Sequence, residues 1–313
     1  TPIKSSAASD VYKRQVCADD VDNEVDFEDT IEVTASNVSE LPKTNSRRYI
    51  VYDRISKSMI IGKNEDIKSA MASTTKIMTT IVILEKADLN ETVTVSAKAG
   101  GTGGSRLGLK RGDKASVRDL LYGLMLRSGN DAAVALAEHV GGSVKGFAEL
   151  MNEKAIELGL TNTHFVTPHG LDDANHYTTA LELAKLTDYA MDNETFAKIV
   201  GTKSTTIYIN NQSRQINNTN ELLGVLNGVV GVKTGFTNNA GRCLVTETKR
   251  NNMDIITIVL GADTKKDRTK DSVNLIEYTF SKYKMYNLEE QIIKMYLDGL
   301  STVKTVSYTH LRA

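Results

Sequence analysis

The stretch VVGVKTGFTNNAGRCLVTETKRNNMDIITIVL, residues 229–260, decides the fold. Three runs of strand length lie within it, at Val229–Lys233, Cys243–Lys249 and Met253–Leu260. Asn251-Asn252 forms the turn between the last two. Working outward, Arg48-Tyr49-Ile50-Val51-Tyr52 and Met59-Ile60-Ile61 flank a polar turn at 53–58 and predict another strand pair, far away in sequence. Between these two strand regions the period changes. Ser73 opens an apolar stretch of helical length through Ile77, Met78, Ile81, Val82 and Leu84, which reads as a helix buried on most sides. Residues 117–126 and 131–140 read as two more helices with Ser128-Gly129-Asn130 as the break, and 147–158 and 179–191 continue the helical section. Residues 205–209 look extended, and 272–283 form a closing helix with Val273, Leu275, Ile276 and Phe280 on its apolar side. Strands at both ends of a helical middle predict an α+β domain whose single antiparallel sheet is assembled from distant segments.

At 313 residues the chain is long enough to bury a full core as one large domain or two. The formal net charge is -1 with 25% charged residues, so no basic field exists to hold nucleic acid. Cys17 and Cys243 suggest neither a disulfide framework nor a thiolate metal site, and Cys243 beside Leu244 and Val245 reads as a small buried hydrophobe. No apolar run reaches the roughly 18 residues that span a bilayer. Residues 1–15 and 306–313 resemble translated adapter DNA and are expected to be non-native segments. Val16-Cys17-Ala18 fits the end of a secretory signal, and the eight acidic residues from Asp19 to Glu32 read as a solvated leader, so 16–45 precedes the ordered part.

Chemistry is concentrated in three short motifs. They are Ser73-Thr74-Thr75-Lys76, Ser128-Gly129-Asn130 and Lys233-Thr234-Gly235. Ser and Lys three positions apart in a helix share one face, which brings the Lys76 amine within reach of the Ser73 hydroxyl as a base. A free lysine stays charged near neutral pH; burial and a second cation, here Lys233, both favour the neutral amine that the reaction needs. A helix N-terminus at Ser73 also offers a backbone N–H to an oxyanion. Ser128 can pass protons to a leaving amine, and Asn130 can hold a substrate amide or orient Lys76. Gly235, on a strand edge, lets a substrate backbone approach and add as an extra strand. The other Ser-x-x-Lys matches, Ser281 to Lys284 and Ser301 to Lys304, lack these partners.

Ser-x-x-Lys with Lys-Thr-Gly marks penicillin-binding proteins and class A β-lactamases. Residues 71–79, 126–133, 162–177 (NTHFVTPHGLDDANHY) and 231–244 (GVKTGFTNNAGRCL) resemble, more narrowly, the low-molecular-mass penicillin-binding proteins that are serine-type D-alanyl-D-alanine carboxypeptidases of the DD-peptidase/β-lactamase superfamily. The resemblance covers about residues 46–284. It implies an antiparallel sheet flanked by helices with an inserted all-helical subdomain, followed at 285–305 by the start of a small β-rich domain. It also implies cleavage of the terminal D-alanine from peptidoglycan stem pentapeptides, acylation by β-lactams, no cofactor, an extracytoplasmic location and a membrane surface reached through a C-terminal anchor. Ser73 would be the nucleophile and Lys76 the base, with Ser128, Asn130 and Lys233 completing the catalytic set. Ser105, Thr234, Gly235, Phe236 and Thr237 would bind substrate, with the N–H groups of Ser73 and Phe236 as the oxyanion hole. Where some relatives carry Asn-Arg-Asn with an arginine for the substrate carboxylate, this chain has Asn218-Thr219-Asn220, and Arg242 is the expected substitute.

Two other activities need weighing. A class A β-lactamase would need the Glu-x-x-Leu-Asn segment used in deacylation, which this chain lacks. A non-catalytic penicillin-binding sensor would acylate without turning over peptide. His164, His169 and His176, with Asp172 and Asp173, could suggest a zinc peptidase. Their spacing fits no helical ligand pair and Pro168 and Gly170 place them in a loop, so capping and loop hydrogen bonds are expected instead and no metal site is assigned. His139 is read as structural.

Overall fold

Ile255 to Leu260 is an almost continuous apolar run, where a strand with one wet face would alternate. The reason is its place in the sheet. In the computed structural model, which describes residues 41–284, this segment is the central strand of a five-stranded antiparallel sheet covered on both faces.

In chain order the elements are β1 (Arg48–Asp53), β2 (Ser58–Lys63), a 3-10 turn (Ala72–Thr75) running into α1 (Lys76–Lys86), β3 (Thr92–Thr94), α2 (Ala97–Gly100), β4 (Lys114–Ser116), α3 (Val117–Leu126), α4 (Asn130–Gly141) and α5 (Val144–Glu157). There follow α6 (Ala180–Met191), α7 (Glu194–Val200), β5 (Ser204–Ile209), β6 (Gln212–Asn217), β7 (Val229–Thr237), β8 (Gly241–Arg250), β9 (Met253–Ala262) and α8 (Lys265–Lys282). The main sheet runs β2-β1-β9-β8-β7, so the two strand sets read from opposite ends of the chain pair directly, Val51 opposite Thr257. β7 runs four residues beyond the expected Lys233, to Thr237, which carries the third motif along the outermost strand.

Tyr49, Val51, Ile255 and Val259 pack with Leu275 under α8, while Ile50, Tyr52, Ile256, Ile258 and Leu260 face the helical body. Alternate side chains of each strand thus feed two different cores. The helical insert is built around Ile77, Met78 and Ile81 of α1, Leu120, Leu121 and Leu124 of α3, and the alanine-rich α4. It is not purely helical. Two small two-stranded sheets lie inside it: β3 with β4, three residues each with α2 between them in the chain, and the hairpin β5 with β6, which turns at Asn210-Asn211. Helix starts are fixed by side-chain caps, with Ser116 accepting from Asp119 N and Thr179 from Glu182 N.

Beside the β8–β9 turn, Arg54, 8% exposed, ties the sheet to α6. It donates to Asp188, Asp192, Glu247 and Asp254, and Lys57 and Lys249 flank the group. Burial, and next the charge of Asp254, push the Glu247 carboxyl up to about 7. Cys243 is wholly buried, and burial pushes its thiol up to about 11, which suits the packing role read from its neighbours. Expectations for 1–15, most of the leader 16–45, 285–305 and 306–313 lie outside the described residues.

Candidate active site

Ala72 has φ 49°, a left-handed conformation uncommon for a residue with a side chain, and it starts the turn that presents Ser73. Thr74 Oγ1 donates to Met71 O (2.6 Å) and Thr75 Oγ1 to Ala72 O (2.8 Å), which fixes the turn from within. One turn later Lys76 begins α1. Its Nζ donates to Ser73 Oγ (2.8 Å), to Asn130 Oδ1 (2.8 Å) and to His169 O (3.0 Å), and the whole side chain is buried. A buried amine therefore touches the candidate nucleophile while two other acceptors hold it in place.

The second motif arrives from the break between α3 and α4. Ser128 has φ 57°, and its hydroxyl, nearly buried, has no hydrogen-bond partner among the described residues. A left-handed backbone and a buried hydroxyl without a partner among the described residues thus coincide in one residue. Asn130 opens α4. Its Nδ2 donates to Gly103 O (2.8 Å) and its backbone N to Ser105 O (2.8 Å), so the loop carrying Ser105 is attached to the second motif through its main chain.

β7 supplies the third side. Gly235 lies against the turn that carries Ser73, and a Cβ there would come 3.1 Å from Ser73 N and 3.2 Å from Ala72 Cβ. Lys233 is 1% exposed and donates to Thr234 O (2.9 Å). Thr234 Oγ1 shares a hydrogen bond with Thr219 Oγ1 (2.7 Å), a contact the sequence reading missed. Asn218 and Asn220 hold that segment by bonding Val200 O, Thr202 O and Gly231 O, which leaves the intervening Thr219 turned to Thr234. Arg242 lies opposite Phe236 in the β7–β8 register, 3% exposed, with its guanidinium 3.7 Å from the Phe236 ring centroid. The expected carboxylate substitute is thus stacked on the aromatic ring, and Thr219 is the residue bonded to Thr234. Thr237 Oγ1 donates to Asp172 Oδ1 (2.6 Å), linking the end of β7 to the histidine-bearing loop.

That loop, residues 164–178, is the back wall of the Ser73 turn. His176 Nδ1 accepts from Val166 N (3.0 Å) and its Nε2 meets Thr75 Oγ1 (2.7 Å), while Thr79 Oγ1 donates to Pro168 O (2.7 Å). Gly170 has φ 82°, and a Cβ on it would sit 1.9 Å from Ala72 O, so only glycine fits. Burial pushes His169 down to about 3 and His176 down to about 4. His164 Nδ1 bonds Asn175 O (2.6 Å) at the loop's far end. The three imidazoles are spread over separate loop contacts, and the described residues contain no group of three acidic, His or Cys side chains able to hold a metal. His139 Nε2, outside the site, pairs with Glu91 (2.7 Å).

The profile of the D-alanyl-D-alanine carboxypeptidase family matches residues 34–264 of this sequence. The chain belongs to that family. It is 36% identical over 245 residues to D-alanyl-D-alanine carboxypeptidase DacF of Bacillus subtilis, covering 76% of this chain and 63% of the relative. With DacC of Escherichia coli, also a D-alanyl-D-alanine carboxypeptidase, identity is 38% over 270 residues, 79% of this chain and 64% of the relative. The chain thus spans a little under two thirds of the length of these curated relatives. Among solved structures, a Streptomyces DD-transpeptidase superposes with TM-score 0.74 at 34% identity, covering 77% of this chain and 99% of that one. The D-alanyl-D-alanine carboxypeptidase DacD of Francisella tularensis gives 0.73 at 30% identity, over 78% and 72% of the two chains. The mixed helix and antiparallel-sheet architecture of the described residues is the one these DD-peptidases share.

Proposed function

We propose that this chain is a serine D-alanyl-D-alanine carboxypeptidase that removes the terminal D-alanine from peptidoglycan stem pentapeptides through an acyl-serine intermediate, and that β-lactams acylate the same serine. The observation that carries the reading is the Lys76 amine, wholly buried and 2.8 Å from both Ser73 Oγ and Asn130 Oδ1. Burial disfavours an ammonium relative to an amine, so the position suits a proton acceptor. Ser73 Oγ attacks the carbonyl carbon of the penultimate D-alanine while its proton passes to Lys76 Nζ. The carbonyl oxygen takes up negative charge opposite the N–H groups of Ser73 and Phe236. When the C–N bond breaks, a proton relayed from Lys76 by the Ser128 hydroxyl goes to the departing D-alanine amine. Water then attacks the ester as its proton passes to Lys76 Nζ, and that proton goes to Ser73 Oγ as the ester C–O bond breaks, restoring the hydroxyl and the neutral amine.

β7 is the last strand of its sheet, so the substrate backbone can add along its edge, with Gly235 leaving room for close approach. Thr234, Lys233 and Ser105 are assigned to the side of the substrate carboxylate, Thr219 supporting Thr234. Phe236, backed by Arg242, and Thr237 are assigned to the peptide strand itself. Residues 46–284 form the catalytic domain in this reading. The substrate places the enzyme on the cell-wall face of the membrane, in cell-wall and cell-shape maintenance. Attachment by a C-terminal anchor belongs to the same proposal on family resemblance alone; no described helix is long and apolar enough to cross a membrane.

The test is incubation with a fluorescent penicillin followed by intact mass, on wild type and Ser73→Ala, beside D-alanine release from diacetyl-Lys-D-alanyl-D-alanine. A lasting Ser73 adduct with D-alanine release supports the carboxypeptidase. Rapid loss of the adduct as penicilloate would favour a β-lactamase, an adduct without release a sensor, and no adduct would refute the acyl-serine reading.

A further inference from the structure

A side-chain amide has two unlike ends, and which end Asn130 turns toward Lys76 decides whether the amine meets an acceptor or a competing donor. The choice is made elsewhere: Nδ2 donates to Gly103 O (2.8 Å), which leaves Oδ1 facing Lys76 Nζ (2.8 Å). Whatever holds Gly103 in place therefore sets the amide.

Asp131, the residue after Asn130, is fully buried, and its carboxylate accepts from three consecutive backbone N–H groups of the Gly103 loop. Leu107 N donates to Oδ1 (2.8 Å), and Gly108 N and Leu109 N donate to Oδ2 (2.8 and 2.9 Å). Ala132 N completes the set at Oδ1 (2.9 Å). The same loop returns Ser105 O to Asn130 N (2.8 Å), so loop and helix start are joined at both ends of the segment. Packing leaves little slack. A Cβ on Gly104 would fall 2.6 Å from Asn130 Nδ2, and one on Gly123 would fall 2.4 Å from Leu107 Cδ2.

We infer that Asp131 is a positioning residue: by gripping the backbone of 107–109 it holds Gly103 O against Asn130 Nδ2, and so fixes the amide orientation that places the Lys76 amine beside Ser73. The inference rests on the acyl-serine reading above. Asp131→Asn replaces one acceptor oxygen by an NH2 group, which meets an N–H donor of the loop instead of accepting from it. The loop then moves off, Gly103 O leaves Nδ2, and the amide loses its preferred face.

The experiment follows penicillin acylation of the full chain under pseudo-first-order conditions, reading labelled amplitude and limiting rate separately. For Asp131→Asn the limiting rate falls by about a hundredfold, the scale expected when a reacting group is misplaced by about an ångström, while the half-saturating penicillin concentration stays near the wild-type value. A residue that only stabilised the fold would lower the amplitude and leave the rate of the labelled fraction unchanged; that result overturns the inference. If Asp131→Asn does not fold, Gly104→Ala decides, since its methyl presses on Asn130 Nδ2 from the loop side. A slowed limiting rate in Gly104→Ala supports the inference and a wild-type rate refutes it. Wild type that forms no Ser73 adduct would overturn the acyl-serine reading and this inference together, whereas normal labelling of all variants removes only the inference.

Discussion

Lowering the pH from 7.5 to 5 should loosen the back wall of the Ser73 turn through His176, and the size of the effect follows from its burial. Nδ1 accepts from Val166 N, so it carries no proton, and the Nε2 proton points to Thr75 Oγ1. Protonation would set a new N–H against the Val166 donor inside a site 3% exposed. The folded imidazole is pushed down to about 4, while in the unfolded chain it has its ordinary value of 6.5. At pH 7.5 both states are neutral and the group contributes nothing. As pH falls below 6.5 only the unfolded state gains a proton, so stability declines until the folded value is reached, and at pH 5 the loss is about 2 kcal/mol. Other groups titrate in the same window. His169 acts in the same sense, whereas Glu247, pushed up to about 7, acts in the opposite one. The assay is therefore a difference: urea unfolding of wild type and His176→Gln at both pH values, followed by far-UV circular dichroism because the chain has no tryptophan. The stability advantage of wild type over His176→Gln should shrink by about 2 kcal/mol at pH 5. An unchanged difference would refute the claim that His176 is held neutral behind Thr75.

Other outcomes are equally specific. Gly235→Ala puts a methyl 3.1 Å from Ser73 N, crowding the proposed oxyanion donor, and should slow acylation by about a hundredfold with little change in melting temperature; a stopped-flow penicillin assay checks it. Arg54→Met strips the guanidinium from Glu247, Asp188 and Asp254 and should destabilise by about 3 kcal/mol or more. The loss should be larger at pH 8 than at pH 6, where Glu247 takes up a proton, as urea midpoints would reveal. Gly170→Ala cannot keep φ 82° with a Cβ 1.9 Å from Ala72 O, so labelling by fluorescent penicillin should fall to a few per cent or less; wild-type labelling would show that the loop does not brace the turn.

Much of the fold was legible because its signals are local. Residues 255–260 are apolar in nearly every position, and Asn251-Asn252 adopts the paired positive φ angles, 50° and 63°, that its turn requires. The same signal at Asn210-Asn211, 51° and 61°, went unread because the strand after it, Gln212–Asn217, is too polar to look like one. β3 and β4 have three residues each, shorter than any periodicity can register.

Ser73 and Lys76 were legible as a pair because three residues of helix bring them together whatever the rest of the chain does. The remaining contacts depend on where distant segments come to rest. Lys76 meets Asn130 across 54 positions and Thr75 meets His176 across 101, and no spacing rule relates them. Arg242 reads in the sequence only as a candidate for a carboxylate, and it is strand register that sets it opposite Phe236 and against its ring. Asp131 follows Asn130 directly and still showed nothing of its role, since its three loop partners lie more than twenty residues upstream. Sequence alone determined which residue types are candidates for the chemistry and where the longer strands and helices run, because both follow from near neighbours. Tertiary packing decided which backbone groups grip them, because hydrogen-bond partners in a buried site are chosen by proximity in space.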